Sequence, residues 1–146
     1  MPDGTVLAFD FGEKRIGVAV GETLLGQAHP LEVISVASRD ARDAAISRLV
    51  AEWQPVQLVV GLPTHADGTP HEMTARCRNF GERLQSRHRL PVALVDERLT
   101  SLDAEARLRE TGRNSKTLKP LLDAVAAQLI LQTWFDSHAS TAHTPA

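Results

Sequence analysis

The chain has 146 residues, a net charge of −2, 42% apolar and 23% charged residues, and one cysteine, Cys77. That length suits one domain, able to bury roughly two thirds of the surface its unfolded form would expose. The balance excludes a protein that is basic throughout but leaves room for local basic patches. No run approaches the ~18 consecutive apolar residues of a membrane span, and a lone cysteine permits neither an intrachain disulfide nor a multi-cysteine zinc site. Met1-Pro2-Asp3-Gly4 lacks the basic stretch and apolar core of a signal peptide, so a reducing, cytoplasmic location is expected.

In chain order, Thr5-Val6-Leu7-Ala8-Phe9 reads as a buried strand, and it ends on Asp10, a residue type depleted in strands. A carboxylate there carries a desolvation cost unless a cation meets it. Gly12 allows a tight turn, Glu13-Lys14-Arg15 supplies charge, and Ile16 to Val20 reads as the returning strand. Leu24-Leu25-Gly26-Gln27 reads as a turn and Leu31 to Val36 as a third strand, with separations short enough for antiparallel hairpins. Arg39 to Trp53 carries Ala41, Ala44, Ala45, Leu49 and Trp53 near helical spacing, and Pro55 follows its end.

Leu58 to Leu62 is a short unbroken apolar run, the mark of a strand covered on both faces, and Pro63 stops it. Thr64 to Pro70, with Asp67-Gly68, is a loop by composition. Met73 to Arg87 reads as an amphipathic helix with Cys77, Phe80 and Leu84 on one face, and Pro91 to Val95 as another buried strand, ending at Asp96-Glu97-Arg98. Thr100 or Ser101 can cap a helix to about Glu110, with Asp103 and Glu105 near its positive end. Gly112 to Thr117 is a basic loop, Leu118 to about Phe135 the last helix, and residues 136–146 a disordered tail. Residues 1–135 are thus expected to form a single α/β domain: a mixed five-stranded sheet, an antiparallel meander followed by strand-helix alternation, flanked by helices. Ligands of such sheets gather beyond the carboxyl ends of the parallel strands.

Acids occupy three unexpected places. Asp10 ends the first strand, Asp96 and Glu97 end the last one, and Asp123 lies in the final helix. On that helix the neighbours of Asp123 at three and four residues onward are Ala126 and Ala127, with Ile130 one turn further, a face suited to packing on a sheet. Carboxylates gathered within a few ångströms repel one another, and a Mg²⁺ or Mn²⁺ ion removes that penalty. One or two such ions activate water and stabilise the leaving oxygen in phosphodiester cleavage. Each acid alone also fits a cap, a surface ion pair or a turn.

Ala8-Phe9-Asp10-Phe11-Gly12-Glu13-Lys14-Arg15-Ile16-Gly17-Val18-Ala19 closely resembles the opening signature of the YqgF/RuvX family of RNase H-like proteins. Val60-Gly61-Leu62-Pro63 with Asp67-Gly68 is similar to its second block, Val95-Asp96-Glu97-Arg98-Leu99-Thr100-Ser101 to its third, and Asp123-Ala124-Val125-Ala126-Ala127 with Ile130-Leu131 to its fourth. The four blocks occur in order over about residues 5 to 135. The resemblance implies an RNase H-like fold and a metal-dependent nuclease that is Holliday-junction-resolvase-like and acts in maturation of the 5′ end of pre-16S ribosomal RNA. By matching positions, Asp10 is the expected central ligand of Mg²⁺ or Mn²⁺, one acid of the Asp96-Glu97 pair the second, and Asp123 the third. Glu97 is favoured for reach, with Asp96 as its substitute.

Lys14, Arg15 and Arg98 adjoin these acids, so they suit the scissile phosphate and equally suit pairing with Glu13, Asp96 or Glu97. Arg113, Lys116 and Lys119 precede Asp123 and fit a clamp on a nucleic-acid backbone. Thr64 to Glu72 is a candidate flap. His65, His71 and His88 show no metal spacing and are expected at the surface, Cys77 is expected to be structural, and Phe11, Phe80, Trp53 and Trp134 are expected in the core. Stacking platforms for bases are then scarce, which favours recognition of backbone and shape.

The leading expectation is a Mg²⁺- or Mn²⁺-dependent endonuclease on structured nucleic acid, either pre-rRNA, with ribosomal precursor particles as partners, or branched DNA. It would act off the membrane, as a monomer or a homodimer. The alternative is a nucleic-acid-binding ribosome-assembly factor with a weak or inactive site. The first hairpin also looks like the phosphate-binding turn of actin-like and sugar-kinase ATPases, but those folds close on ATP with two such domains and this chain holds one.

Overall fold

Ile16-Gly17-Val18-Ala19-Val20-Gly21 alternates large and small residues, and the period of two in a strand turns that alternation into two unlike faces. The computed structural model describes residues 3–12, 14–35, 38–62, 74–96 and 115–142, with the side chains of 115–123 and 138–142 outside the description. Five strands, β1 (Thr5–Phe11), β2 (Ile16–Glu22), β3 (Gln27–Ile34), β4 (Gln57–Leu62) and β5 (Val92–Asp96), form one sheet in the order β3-β2-β1-β4-β5. Pairing is antiparallel for β1 with β2 and β2 with β3, and parallel for β1 with β4 and β4 with β5. The expected meander followed by strand-helix alternation is present, and β1 lies at the centre.

The described helices are α1 (Arg39–Trp53), α2 (Thr74–His88) and α3 (Ser115–Ala142). On one face, Leu7, Phe9, Ile16, Val18, Val20, Leu58 and Val60 pack with Ile46 and Leu49 of α1 and with Phe80 and Leu84 of α2. On the other, Val6, Ala8, Ala19, Ala28 and Val59 pack with Ala127, Ile130, Leu131, Trp134 and Phe135 of α3. Small strand residues let α3 approach closely. A Cβ on Gly21 would lie 2.6 Å from the Phe135 ring and 2.6 Å from the Gln27 carbonyl oxygen.

Two glutamines fix α3 along the edge strand. The Gln132 side chain accepts from the Ala28 N–H at 3.0 Å and donates to the Gly26 carbonyl at 2.9 Å, while Gln128 donates to the Ala28 carbonyl at 3.0 Å. Backbone groups on the open side of β3 thereby gain partners that the ladder does not supply.

Helix α1 starts where Ser38 accepts from the Ala41 N–H at 3.0 Å, and it closes on Gln54 in the left-handed region (φ 47°). Its buried residues are Ile46 and Leu49, with Ala45 and Trp53 beside them; Ala41 and Ala44, expected on that face, are exposed. The bulkier side chains set which way the helix turns, because they bury more apolar area.

Other boundaries differ from expectation. Strand β3 begins at Gln27 and runs through Pro30, which an edge strand tolerates. Strand β5 is the other edge among the described residues, with Leu94 43% exposed, so its apolar run does not mean burial on both faces. Helix α3 begins at Ser115 and continues past Phe135 to Ala142, into the segment expected as a tail, with no glycine or proline between Phe135 and Ala142 to stop it. The expected loop from Thr64 to Pro70 and the expected helix to about Glu110 lie outside the described residues.

Candidate active site

Asp10 sits near the end of β1, half-buried, on the central strand of the sheet. Its phase is that of Val6 and Ala8, which face α3. Across β2 its partner is Gly17, and on the other side Phe9 pairs with Val60, so that Gly61 follows beside Asp10. Gly17 thus stands directly across from Asp10, and Gly61 is next along β4. Residue types alone do not reveal this. The pairing of residues 10 and 17 across the hairpin was the available signal, and it depends on register.

Gly12 shapes the turn that follows. A Cβ there would lie 2.7 Å from the Arg15 carbonyl oxygen, a collision with backbone that no rotamer relieves. The turn brings Lys14, exposed, and Arg15, half-buried, to the same end of the sheet as Asp10.

Helix α3 runs against the face that carries Asp10. Ala126, Ala127 and Ile130 are buried there at 8%, 0% and 0% exposure, so the face read from the sequence is the packed face. Asp123 lies one turn before Ala127 on this helix. Gln128 and Gln132 bond near Ala28 and Gly26, and Phe135 meets Gly21, at the end of the sheet where β1 starts. The N-terminal part of α3 accordingly extends towards the end where Asp10 stands.

Asp96 is the last residue of β5, exposed, and pairs with Leu62. Glu97, Arg98 and Arg113 lie outside the described residues, as do the side chains of Lys116, Lys119 and Asp123. Lys116 belongs to the first turn of α3 and not to the loop expected there. Among the described residues no three His, Cys, Asp or Glu side chains form a metal-binding group. Asp10 and Asp96 are thus the expected ligands whose side chains lie among the described residues, and their oxygen donors are of the kind that hard divalent ions take.

The remaining expectations divide. Cys77 is buried at 1% exposure, and Phe80 and Trp134 are 5% exposed. Trp53 and Phe11 are half-buried against the core. His88, expected at the surface, is half-buried, and its Nε2 is buried without a hydrogen-bond partner. Desolvation lowers its pKa, the neighbouring Arg87 lowers it further, and Asp43 opposes both.

Comparison with known proteins agrees with this architecture. The model of the family described as "RuvX: Holliday junction resolvase" matches residues 4–137. A protein of Dechloromonas aromatica named "Putative pre-16S rRNA nuclease" is 77% identical over 134 residues, 92% of each chain. A protein of the same name from Thiobacillus denitrificans is 60% identical over the same shares. Among solved structures, T. thermophilus RuvC in complex with a Holliday junction substrate matches with a TM-score of 0.56 at 18% identity, covering 94% of this chain and 97% of that one. Fowlpox virus resolvase matches with a TM-score of 0.57 at 9% identity, over 92% and 98%. These likenesses establish the RNase H-like α/β fold.

Proposed function

The chain belongs to the RuvX family, and from that membership we propose that it is a divalent-metal-dependent endonuclease that processes the 5′ end of pre-16S rRNA. The observation that carries the reading is the setting of Asp10: a half-buried carboxylate across from Gly17 on the central strand, on the face against which α3 packs. A surface ion pair or a turn role does not need that position.

Asp10, Glu97 and Asp123 would hold Mg²⁺ or Mn²⁺. Ala93 and Val95 belong with the α3 face, so Asp96 is out of phase with it, and Glu97 is kept as the second ligand with Asp96 as its substitute. When bound, the ion supplies Lewis-acid activation of water and neutralises charge at the scissile phosphate. The residues of the chain supply the remainder. Asp10 holds its carboxylate near the end of a rigid strand, and α3 fixes the third acid relative to the first. Lys14, Arg15 and Arg98 bind the phosphate under attack, and Arg113, Lys116 and Lys119 hold the backbone further along. Ribosomal precursor particles are then the natural partners. No described helix is long and apolar enough to cross a membrane.

Asp10→Asn should lower Mn²⁺-dependent cleavage of a pre-16S 5′ leader by more than roughly 100-fold, since even outer-sphere changes cost 10–100-fold, with thermal unfolding unchanged or raised. Retained cleavage by that variant would overturn the reading. The description of the family model favours a second substrate, a four-way DNA junction. Cleavage of the junction in preference to the leader, lost in the same variant, would select it.

A further inference from the structure

Where Asp10 faces α3, the next residue, Phe11, faces the opposite way, and its ring meets Phe80 of α2 at 4.7 Å between centroids. Beside it, between α1 and α2, opens a cleft of about 510 Å³ lined by Phe11, Arg39, Arg42, Arg76, Asn79 and Arg83, with Phe80 at its base. No carboxylate lines it among the described residues. The arginines come from two helices, at spacings of three on α1 and seven on α2, so each pair shares a helix face.

These arginines are not equivalent. Arg83 is held by Asp43 at 2.7 and 2.9 Å, which orients it and offsets its charge. Arg42 lies with its guanidinium 5.6 Å over the Phe11 ring, and its Nη1 is buried with no hydrogen-bond partner. A buried, unpartnered guanidinium nitrogen is costly unless an acceptor meets it. Arg39 and Arg76 stand exposed at the rim, and Asn79 adds a neutral polar group. Planar donor forks with an aromatic backing match the tetrahedral oxygens of a phosphate.

We propose that this cleft is a second phosphate site, which takes backbone phosphates of the nucleic acid at a distance from the bond that is cut. This inference rests on the nucleic-acid reading above. Asp10 and Phe11 are consecutive residues at one end of the central strand, so a strand of nucleic acid crossing that end meets the acid on one face and the cleft on the other. The cleft thereby anchors and orients substrate without touching the reacting atoms. Arg42 makes the inner contact, and Arg39 and Arg76 make the outer ones.

The test uses the whole protein and fluorescence anisotropy with a labelled structured RNA in EDTA, so that binding is read without cleavage. Arg39→Gln/Arg76→Gln alters two exposed side chains and leaves the core intact. It should weaken binding at least 10-fold, and it should lower the slope of log K against log salt by about one for each phosphate that is no longer neutralised. Arg42→Gln should weaken it further. At saturating substrate the double variant should keep the cleavage rate of the wild type, with the loss confined to KM. Unchanged affinity and salt slope in the double variant would overturn the site. So would calorimetry in which inorganic pyrophosphate binds through these arginines while RNA affinity ignores them, because the cleft would then serve a free anion. A protein that binds RNA through the cleft yet never cuts would instead overturn the nuclease reading and leave the site standing.

Discussion

Towards α1 and α2 the sheet presents Leu7, Phe9, Ile16, Val18, Val20, Leu58 and Val60, whereas towards α3 it presents Ala8, Ala19, Ala28 and Gly21 with few larger residues. The large-residue face holds two helices through bulk. The small-residue face holds one helix at close range, where backbone and amide side chains of helix and sheet meet directly. The proposed chemistry needs the second kind of face: a short acid on a strand and another on a helix can share an ion only where the two backbones approach. The first face, with longer side chains between its layers, instead keeps a cleft wide enough for arginines.

Four substitutions probe this contrast, from the largest expected effect to the smallest. Phe9→Ala removes a fully buried ring from the large-residue face and should cost about 3–5 kcal/mol in urea unfolding. Its effect on Mn²⁺ affinity should be small as long as the protein stays folded, since Phe9 faces away from Asp10. Gly21→Val forces α3 outward against Phe135 and should cost about 1–3 kcal/mol. Unlike the first change, it should also weaken Mn²⁺ binding by calorimetry; a stability loss with metal affinity intact would mean that close packing does not set the site.

Gln132→Leu removes an acceptor from the Ala28 N–H and a donor from the Gly26 carbonyl, and should cost about 1–3 kcal/mol. If α3 is indexed by these bonds, cleavage should fall with stability. The smallest effect concerns pH on the opposite face. The folded-state pKa of His88 lies below its ordinary value near 6.5, so the unfolded chain takes up the proton first as pH falls. The contribution of this group to stability is therefore complete above about 6.5 and declines as pH drops through the interval just below it. The urea midpoint of the wild type should fall more between pH 7.5 and 5 than that of His88→Gln, and equal falls would refute the assignment.

Much of this was legible in the residues. The antiparallel meander followed by alternation, the bounds of α1, and the apolar stripe of Ala126, Ala127 and Ile130 all follow from periodicity, because burial on one face leaves a repeat in the sequence. Edges were less legible. The run in β5 looks like a buried strand, yet Leu94 is exposed, because hydrophobicity does not state which strand comes last in a sheet. The extension of α3 to Ala142 was hidden by polar residues that neither demand a helix nor stop one. The basic cleft was missed for a different reason: Arg39 and Arg42 stand more than thirty residues from Arg76 and Arg83, and helix faces meet only in three dimensions.

By itself, then, the sequence determined that Asp10 stands near the end of a buried strand beside a glycine turn, since a carboxylate in that position is locally anomalous. It also determined which stripe of the last helix packs on the sheet. Only the tertiary structure decided that Gly17 stands across from Asp10, that α3 rather than α1 or α2 covers its face, and that Phe11 turns the other way into a cleft of arginines. Periodicity is a property of neighbours along the chain, but the choice of face, partner and register is made by residues far apart in sequence that compete for the same buried surface.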